Sequence, residues 1–421
     1  MTSKYKILLI SDHALSTSGV GVQSRFVGLG LVSTGKYTIR QFGGAIKHSS
    51  LDVVKAHDDF IIKPVEGFGT RELLRVVLAT ERPDVLMLFN DPRFFTWIWE
   101  MEDEIHQICP ISYWNLWDGQ PFPRHNAPYY ESTDLLNCIN KQTYDFLKPR
   151  YGSKVNYVPH AIPSDVYFPM PREKQLEMRR LLFGHGSEDW FVGLWVNRNA
   201  HRKRPGDVLT SWKFFLDTLE KKHGRDARDR AKLVLHTDPR DQEGTDMPYV
   251  VEELDIAKNI VFSADRTGFE QMNMLYNAVD FTLNISHSEG FGLPTLETMM
   301  AGKPIVAAMT GGLKDQIVNP DGTENGVALK VDVTSYVGSL QVPYITQDFV
   351  SCESTARGIM ALHEMGPETR AQVGERARKN ALERFSIDDM IADWDRTLTD
   401  VIERWRTDRK SVYTPWRSED L

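Results

Sequence analysis

The stretch from Ser286 to Pro304 leaves this chain few ways to fold. It reads as a strand end, a glycine-rich turn, a short helix and a glycine stop. Apolar Phe281–Ile285 and Ile305–Ala308 flank it as strands. Pro294 suits the opening of the helix, because its missing N–H would have no partner there, and Gly302 suits the left-handed residue that ends it. Gly290 and Gly292 allow the backbone to approach a ligand, and amides at a helix start, here around Phe291 to Leu293, attract anions. Glu289 on the turn and Glu297 inside the helix set two carboxylates beside that anion site. A ligand carrying phosphate with hydroxyl groups nearby satisfies both features, and a nucleotide sugar is such a ligand.

At 421 residues the chain is too long for one ordinary core, so two domains are expected. An apolar content of 41% and a charged content of 26% describe a globular protein. A net charge of −8 argues against general electrostatic wrapping of nucleic acid. Cys109, Cys138 and Cys352 have no metal-like spacing and read as reduced thiols, which points to a cytoplasmic location. Residues 1–4 run straight into strand-like Tyr5–Ile10, with no room for a signal peptide, and no apolar run reaches membrane-spanning length. The oligomeric state is not readable.

Taken in order, Lys4–Ser11 reads as a buried parallel strand, followed by a loop ending in Ser18, Gly19, Val20 and Gly21 and then by a helix. Such a loop serves equally as a phosphate cradle or a plain turn. Strands are expected at Tyr37–Phe42, Asp59–Lys63, Asp84–Phe89, Ile111–Asn115, Leu135–Ile139 and Val155–Val158, with helices at Arg71–Thr80 and Lys141–Tyr151. This alternation indicates a parallel sheet covered on both faces. The loops Asn90–Arg93 and Asn115–Pro123 follow strands and open onto the ligand face; Asp118 is the functional candidate there. Trp97, Trp99 and Trp114 read as core.

Proline density from Tyr157 to Pro171 marks a linker. Strand Phe191–Val196 then starts a second domain and ends in the basic loop Asn197–Pro205, before the helix Gly206–Lys222. Strands Lys232–His236, Asn259–Phe262 and Asp280–Ile285 continue the sheet, with a helix at Phe269–Ala278. Residues Thr334–Gln347 read as irregular, an insertion or lid. The last helix carries Ile387, Met390, Ile391, Trp394, Leu398, Val401, Ile402 and Trp405 on one face, a core stripe.

From Glu289 the sequence EGFGLPTLETMMAGKPIV closely resembles the nucleotide-binding motif of retaining glycosyltransferases of family 4, which have the GT-B fold. Arg198 with Lys203 five residues later is similar to that family's arginine–lysine pair. Thr310–Gly312 resembles the glycine pair after the motif, and Leu275–Asp280 its L-Y-x-x-A-D. The resemblance implies an α/β chain of two doubly wound Rossmann-like domains facing a central cleft. Its parts are an acceptor-side domain at 1–165, a donor-side domain at 166–385, and a crossover helix and tail at 386–421.

The resemblance also implies roles. Glu297 holds the ribose hydroxyls of the nucleotide; Arg198 and Lys203 neutralise the departing diphosphate; Glu289 contacts the transferred sugar. Backbone amides around Phe291 to Leu293 and the Gly19–Gly21 loop cradle the pyrophosphate. No cofactor or metal is expected, the nucleotide-diphosphate sugar being a substrate. Where family members carry a histidine near the sugar, this chain has Trp117 and Asp118, so Asp118 stands as a sugar or acceptor contact. No role carries over to His160 of the linker. The acceptor is a hydroxyl of unread identity: saccharide, lipid, metabolite or, as a minority reading, a modified nucleic-acid base held by Trp114 and Trp117. The alternatives are an epimerase or glycosyl phosphorylase on the same fold, and a non-catalytic nucleotide-sugar-binding protein.

Overall fold

A computed structural model describes residues 4–264 and 267–407; the leading residues 1–3 and the tail 408–421 lie outside them. The chain divides into two compact units. The first takes residues 1–161, 338–344 and 387–421, and the second residues 162–337 and 345–386.

The sheet of the first unit holds β1 (Tyr5–Asp12), β2 (Tyr37–Gly44), β3 (Val54–His57), β4 (Phe60–Pro64), β5 (Val85–Asn90), β6 (Ile111–Asn115), β7 (Leu135–Cys138) and β8 (Val155–Tyr157). Their order is β3-β4-β2-β1-β5-β6-β7-β8. All pairs are parallel except β3 with β4. The central strands are apolar throughout; β5, for example, is buried at every residue, as a strand covered on both faces must be. Edge strand β3 was not expected: its Val-Lys-Ala-His alternates weakly and acquires its conformation from pairing with β4.

The closing helix Ile387–Thr407 packs in this same unit, although it follows the second unit in sequence. Met390, Trp394, Leu398, Val401, Ile402 and Trp405 are its buried apolar stripe. Trp394 meets Trp114 with ring centroids 4.9 Å apart. Tyr37 Oη donates to Asp395 Oδ1 at 2.7 Å, and Lys36 Nζ pairs with Asp395 Oδ2 at 2.6 Å. A Cβ on Gly30 of the helix Gly19–Ser33 would lie 2.3 Å from Ile391 Cδ1, so glycine permits the helices to approach.

The second unit repeats the plan with β9 (Phe191–Val196), β10 (Ala231–His236), β11 (Ile260–Ser263), β12 (Phe281–Asn284), β13 (Ile305–Ala308) and β14 (Gly326–Leu329), ordered β11-β10-β9-β12-β13-β14 and wholly parallel. Trp195, Trp212, Phe215 and Phe281 lie in its core. In both sheets the strand order reverses at one point, between β1 and β5 and between β9 and β12. Outside the carboxyl ends of such strands the following loops diverge and leave room for a ligand.

One expectation holds only in part. Residues 338–344 are irregular, but β15 (Val333–Val337) and β16 (Ile345–Phe349) on either side of them form an antiparallel hairpin. Both arms carry β-branched and aromatic residues, and their pairing satisfies backbone groups that a loop would leave to water.

Candidate functional site

The β9/β12 reversal brings the basic loop after β9 against the turn after β12. Lys203 ends a short 3-10 turn, His201–Lys203, and Arg204 adopts a left-handed φ of 57° before the helix Pro205–His223. The loops are stitched by His287 N–H donating to Arg202 O at 3.0 Å. Lys203 Nζ forms an ion pair with Glu289 Oε2, and both side chains are nearly buried. Arg202 Nη1 donates to Ser288 O at 2.5 Å and lies 3.8 Å from Glu289 Oε1. Ser286 Oγ adds a contact to Glu289 Oε2 at 3.3 Å. Burial works to raise the Glu289 carboxyl, but the Lys203 and Arg202 charges outweigh it and hold the group below its ordinary range.

The turn itself is held from several sides. Gly292 has φ 93°, and a Cβ there would sit 2.6 Å from Leu313 Cδ2, so the protein's own packing demands glycine. Gly312 N–H donates to Glu289 O at 2.8 Å, and a Cβ on Gly312 would lie 2.5 Å from Gly290 O. Gln316 Nε2 donates to Phe291 O at 2.7 Å. Leu293 and Pro294 then open the helix Leu293–Met300, with Gly292 as the preceding cap residue and Gly302 at φ 72° beyond its end. The base of the β15–β16 hairpin also reaches this turn: Asp348 N–H donates to His287 O at 2.9 Å, and Thr310 Oγ1 donates to Asp348 Oδ2 at 2.7 Å.

Glu297 stands half-buried on the Leu293–Met300 helix and accepts a hydrogen bond from Tyr276 Oη at 2.5 Å on Oε2. Burial pushes its pKa up to about 7, against hydrogen bonds from Tyr276 and Tyr167 that lower it. Asp280, which closes the L-Y-x-x-A-D segment, is structural: it pairs with buried Arg179 at 2.8 Å and accepts from Val192 N–H at 2.8 Å. Arg198 does not join the Glu289 cluster. Its side chain is 60% exposed and pairs with Asp241 Oδ2 at 2.8 Å and Glu243 Oε2 at 3.0 Å.

The remaining candidates belong to the first unit. Ser18 caps the helix Gly19–Ser33 and accepts from Gly21 N–H at 3.0 Å, so that amide is occupied within the protein. Asp12 sits behind the cap, accepting from Ser18 Oγ at 2.5 Å and from Asn90 Nδ2 at 2.6 Å. Asp118 lies half-exposed in the loop after β6, close enough for its charge to act on Arg93, which is itself paired with Asp91 at 2.8 Å.

The aromatic side chains nearby are interior. Trp114 is fully buried and stacks on Phe89 with centroids 3.8 Å apart, while Trp117 is 4% exposed. Neither ring is offered to an extruded base, which removes the feature that pointed to a modified nucleic-acid acceptor. His160 is buried against Phe89 and Trp114, and burial alone lowers its pKa to about 3, so it is a neutral core residue.

Sequence reasoning passed over Arg202, Tyr167 and Tyr276. Arg202 adjoins Lys203, but the family spacing singles out Arg198. Tyr276 is the tyrosine of L-Y-x-x-A-D, a recognisable signal to which no role was attached. For Tyr167, in the linker, no local pattern marks a contact with Glu297. Among the described residues, no group of three or more His, Cys, Asp or Glu side chains could hold a metal ion, and no helix is long and apolar enough to cross a membrane.

Two parallel doubly wound sheets, with the closing helix returned to the first unit, define a GT-B fold. Sucrose-phosphate synthase from Thermosynechococcus elongatus superposes with a TM-score of 0.72 at 15% identity, over 95% of this chain and 100% of that one. Anabaena Alr3699/HepE in complex with UDP-glucose gives a TM-score of 0.68 at 14% identity, over 94% and 99% of the two chains. Residues 209–340 match the family model described as glycosyl transferases group 1. N-acetyl-alpha-D-glucosaminyl L-malate synthase of Bacillus anthracis is 21% identical over 277 residues, 65% of this chain and 61% of that protein. A D-inositol 3-phosphate glycosyltransferase of Saccharomonospora viridis is 31% identical over 140 residues, 33% of this chain. The matched stretch spans only 25% of that second relative's length.

Proposed function

We propose that this protein is a retaining glycosyltransferase that moves a sugar from a nucleotide-diphosphate sugar to a hydroxyl acceptor without a metal ion. The observation that carries the reading is the meeting of Lys203, Arg202 and Glu289 at the β9/β12 reversal, beside the helix that bears Glu297. Cations and helix amides together suit a diphosphate, and a carboxylate one helix turn further suits a ribose diol. Lys203 neutralises charge that grows on the nucleoside diphosphate as it leaves, and Arg202 joins it in that role. Arg198 takes part by exchanging Asp241 and Glu243 for phosphate oxygen. Glu289 accepts from hydroxyls of the transferred sugar. On the first unit, Asp118 is assigned to the acceptor or sugar, and the Gly19–Gly21 loop to the pyrophosphate through amides other than that of Gly21.

In the reaction the bond between the anomeric carbon and the phosphate oxygen breaks. The acceptor oxygen bonds to that carbon on the same face, and its proton passes to the departing phosphate oxygen. The match of residues 209–340 to the model described as glycosyl transferases group 1 supports this chemistry, and the UDP-glucose of the Anabaena structure makes a uridine donor the first to try.

The test is release of nucleoside diphosphate from UDP-, ADP- and GDP-sugars, with and without an acceptor panel. Release that accelerates with an acceptor and collapses in Glu297→Ala and Lys203→Ala is expected. Interconversion of donor sugars with no acceptor would identify an epimerase, and full activity in both variants would refute the site.

A further inference from the structure

Glu297 is gripped from two separate elements. Tyr276, on the helix Phe269–Ala278, donates to Oε2 at 2.5 Å, and Tyr167 hydrogen-bonds the same carboxyl group. Tyr276 is fully buried and Tyr167 almost so, their rings set edge to face with centroids 5.7 Å apart. Tyr167 follows the crossing into the second unit at Ile162 by only a few residues, in the segment between Pro163 and Pro171.

That segment is fastened along its length. Phe168 N–H donates to Asn273 Oδ1 at 3.1 Å and Met170 N–H to Asn277 Oδ1 at 2.7 Å, while Asn277 Nδ2 returns a bond to Phe168 O at 2.9 Å. Arg378, on the helix Gly366–Arg384, donates to the main-chain carbonyls of Tyr167 and Met300. A linker needs no such fastening to join two units. What the fastening does is set a phenol at Glu297.

We propose that Tyr167 and Tyr276 are positioning residues for nucleotide binding, holding Glu297 in the single rotamer from which its carboxylate accepts the ribose hydroxyls. This rests on the donor role given to Glu297 above. A buried phenol must donate to something, and a half-buried carboxylate loses rotamer freedom when both partners are fixed. The binding-competent geometry is therefore present before the nucleotide arrives. The phenols also favour the charged form. The groups acting on Glu297 are its own burial and these two hydroxyls, and Arg378 is engaged with main-chain carbonyls. Removing one phenol leaves burial less opposed, so the carboxyl titrates at higher pH.

The experiment uses the full chain and its Tyr167→Phe, Tyr276→Phe and Glu297→Gln variants, titrated calorimetrically with UDP, ADP and GDP and with the 2′,3′-dideoxy form of whichever binds, from pH 5.5 to 9. The readout is the affinity ratio of ribose to dideoxy nucleotide, from which titration of the phosphates cancels. For the wild type the ratio should reach roughly tenfold at high pH and fall as pH drops through about 7. Each Tyr→Phe variant should move that midpoint up by about one pH unit. Glu297→Gln should lower the ratio and flatten it with pH. Tyr→Phe variants that bind like wild type, or that weaken binding equally at every pH, would overturn the positioning role. A wild-type ratio retained in Glu297→Gln, or no binding of any of the three nucleotides, would instead bring down the donor reading, and this proposal with it.

Discussion

Replacing Lys203 by methionine keeps most of the side-chain volume and removes its charge. Lys203 and Glu289 retain only 12% and 10% of their side-chain exposure, so the variant leaves a carboxylate inside the protein with its principal partner gone. Breaking a buried pair from one side costs roughly 3–5 kcal/mol. Arg202, still 3.8 Å from the other carboxylate oxygen but 42% exposed, places the expectation near the lower figure, about 3 kcal/mol.

The pH dependence separates the two forms. In the wild type Glu289 is held below its usual 4.5, so its contribution is complete above that value and is lost as pH falls through the depressed folded-state pKa. In Lys203→Met burial is less opposed and the carboxyl rises. The variant should therefore be weakest near pH 8 and recover part of its deficit towards pH 5, where Glu289 takes a proton. Adding Glu289→Gln should restore most of the loss, because no buried charge remains. With two units the whole chain need not unfold in one step, so the assay is amide exchange of peptides spanning β12 and the Leu293–Met300 helix in increasing urea. A Lys203→Met protein as protected as wild type, or a double variant no better than the single one, would refute the argument.

Three further outcomes are expected. Gly312→Ala sets a methyl 2.5 Å from Gly290 O and should destabilise the turn by about 1–3 kcal/mol, with a matching loss of UDP affinity in calorimetry. Trp394→Ala opens a cavity beneath the closing helix and should cost about 3–5 kcal/mol, read as faster amide exchange across residues 390–405 and in β6. His160 is buried neutral, so the unfolded chain binds a proton that the folded one refuses. Below pH 6.5 and down towards 3, stability of the first unit should therefore fall by about 1.4 kcal/mol per pH unit from this residue. His160→Gln should flatten that slope in urea titrations followed by exchange of the peptide containing Trp114.

Local pattern carried much of the architecture. Strands 111–115, 191–196 and 305–308 and helices 141–151 and 269–278 are where their sequences place them, because continuous apolar runs and amphipathic repeats bounded by asparagine, glycine or proline leave little choice. The glycine turn at 290–292 was legible for the same reason. Pairing was not: β3 and the β15–β16 hairpin owe their extended backbone to partners that a window along the chain does not contain. Periodicity gave the closing helix its apolar stripe but not its address; only the family resemblance pointed back to the first unit, where Trp394 and Asp395 dock.

The candidate site divides along the same line. Residue types at motif spacing announced Glu289, Glu297 and Lys203. Which side chains face them depends on β9 lying beside β12 and on the linker being bound to the Phe269–Ala278 helix. Those neighbours, far apart in the chain, put Arg202 on Glu289, turn Arg198 towards Asp241, and bring Tyr167 and Tyr276 to Glu297. Spacing in sequence encodes what a residue can do; only packing between distant segments sets which partner it meets, and with it the charge state in which it works.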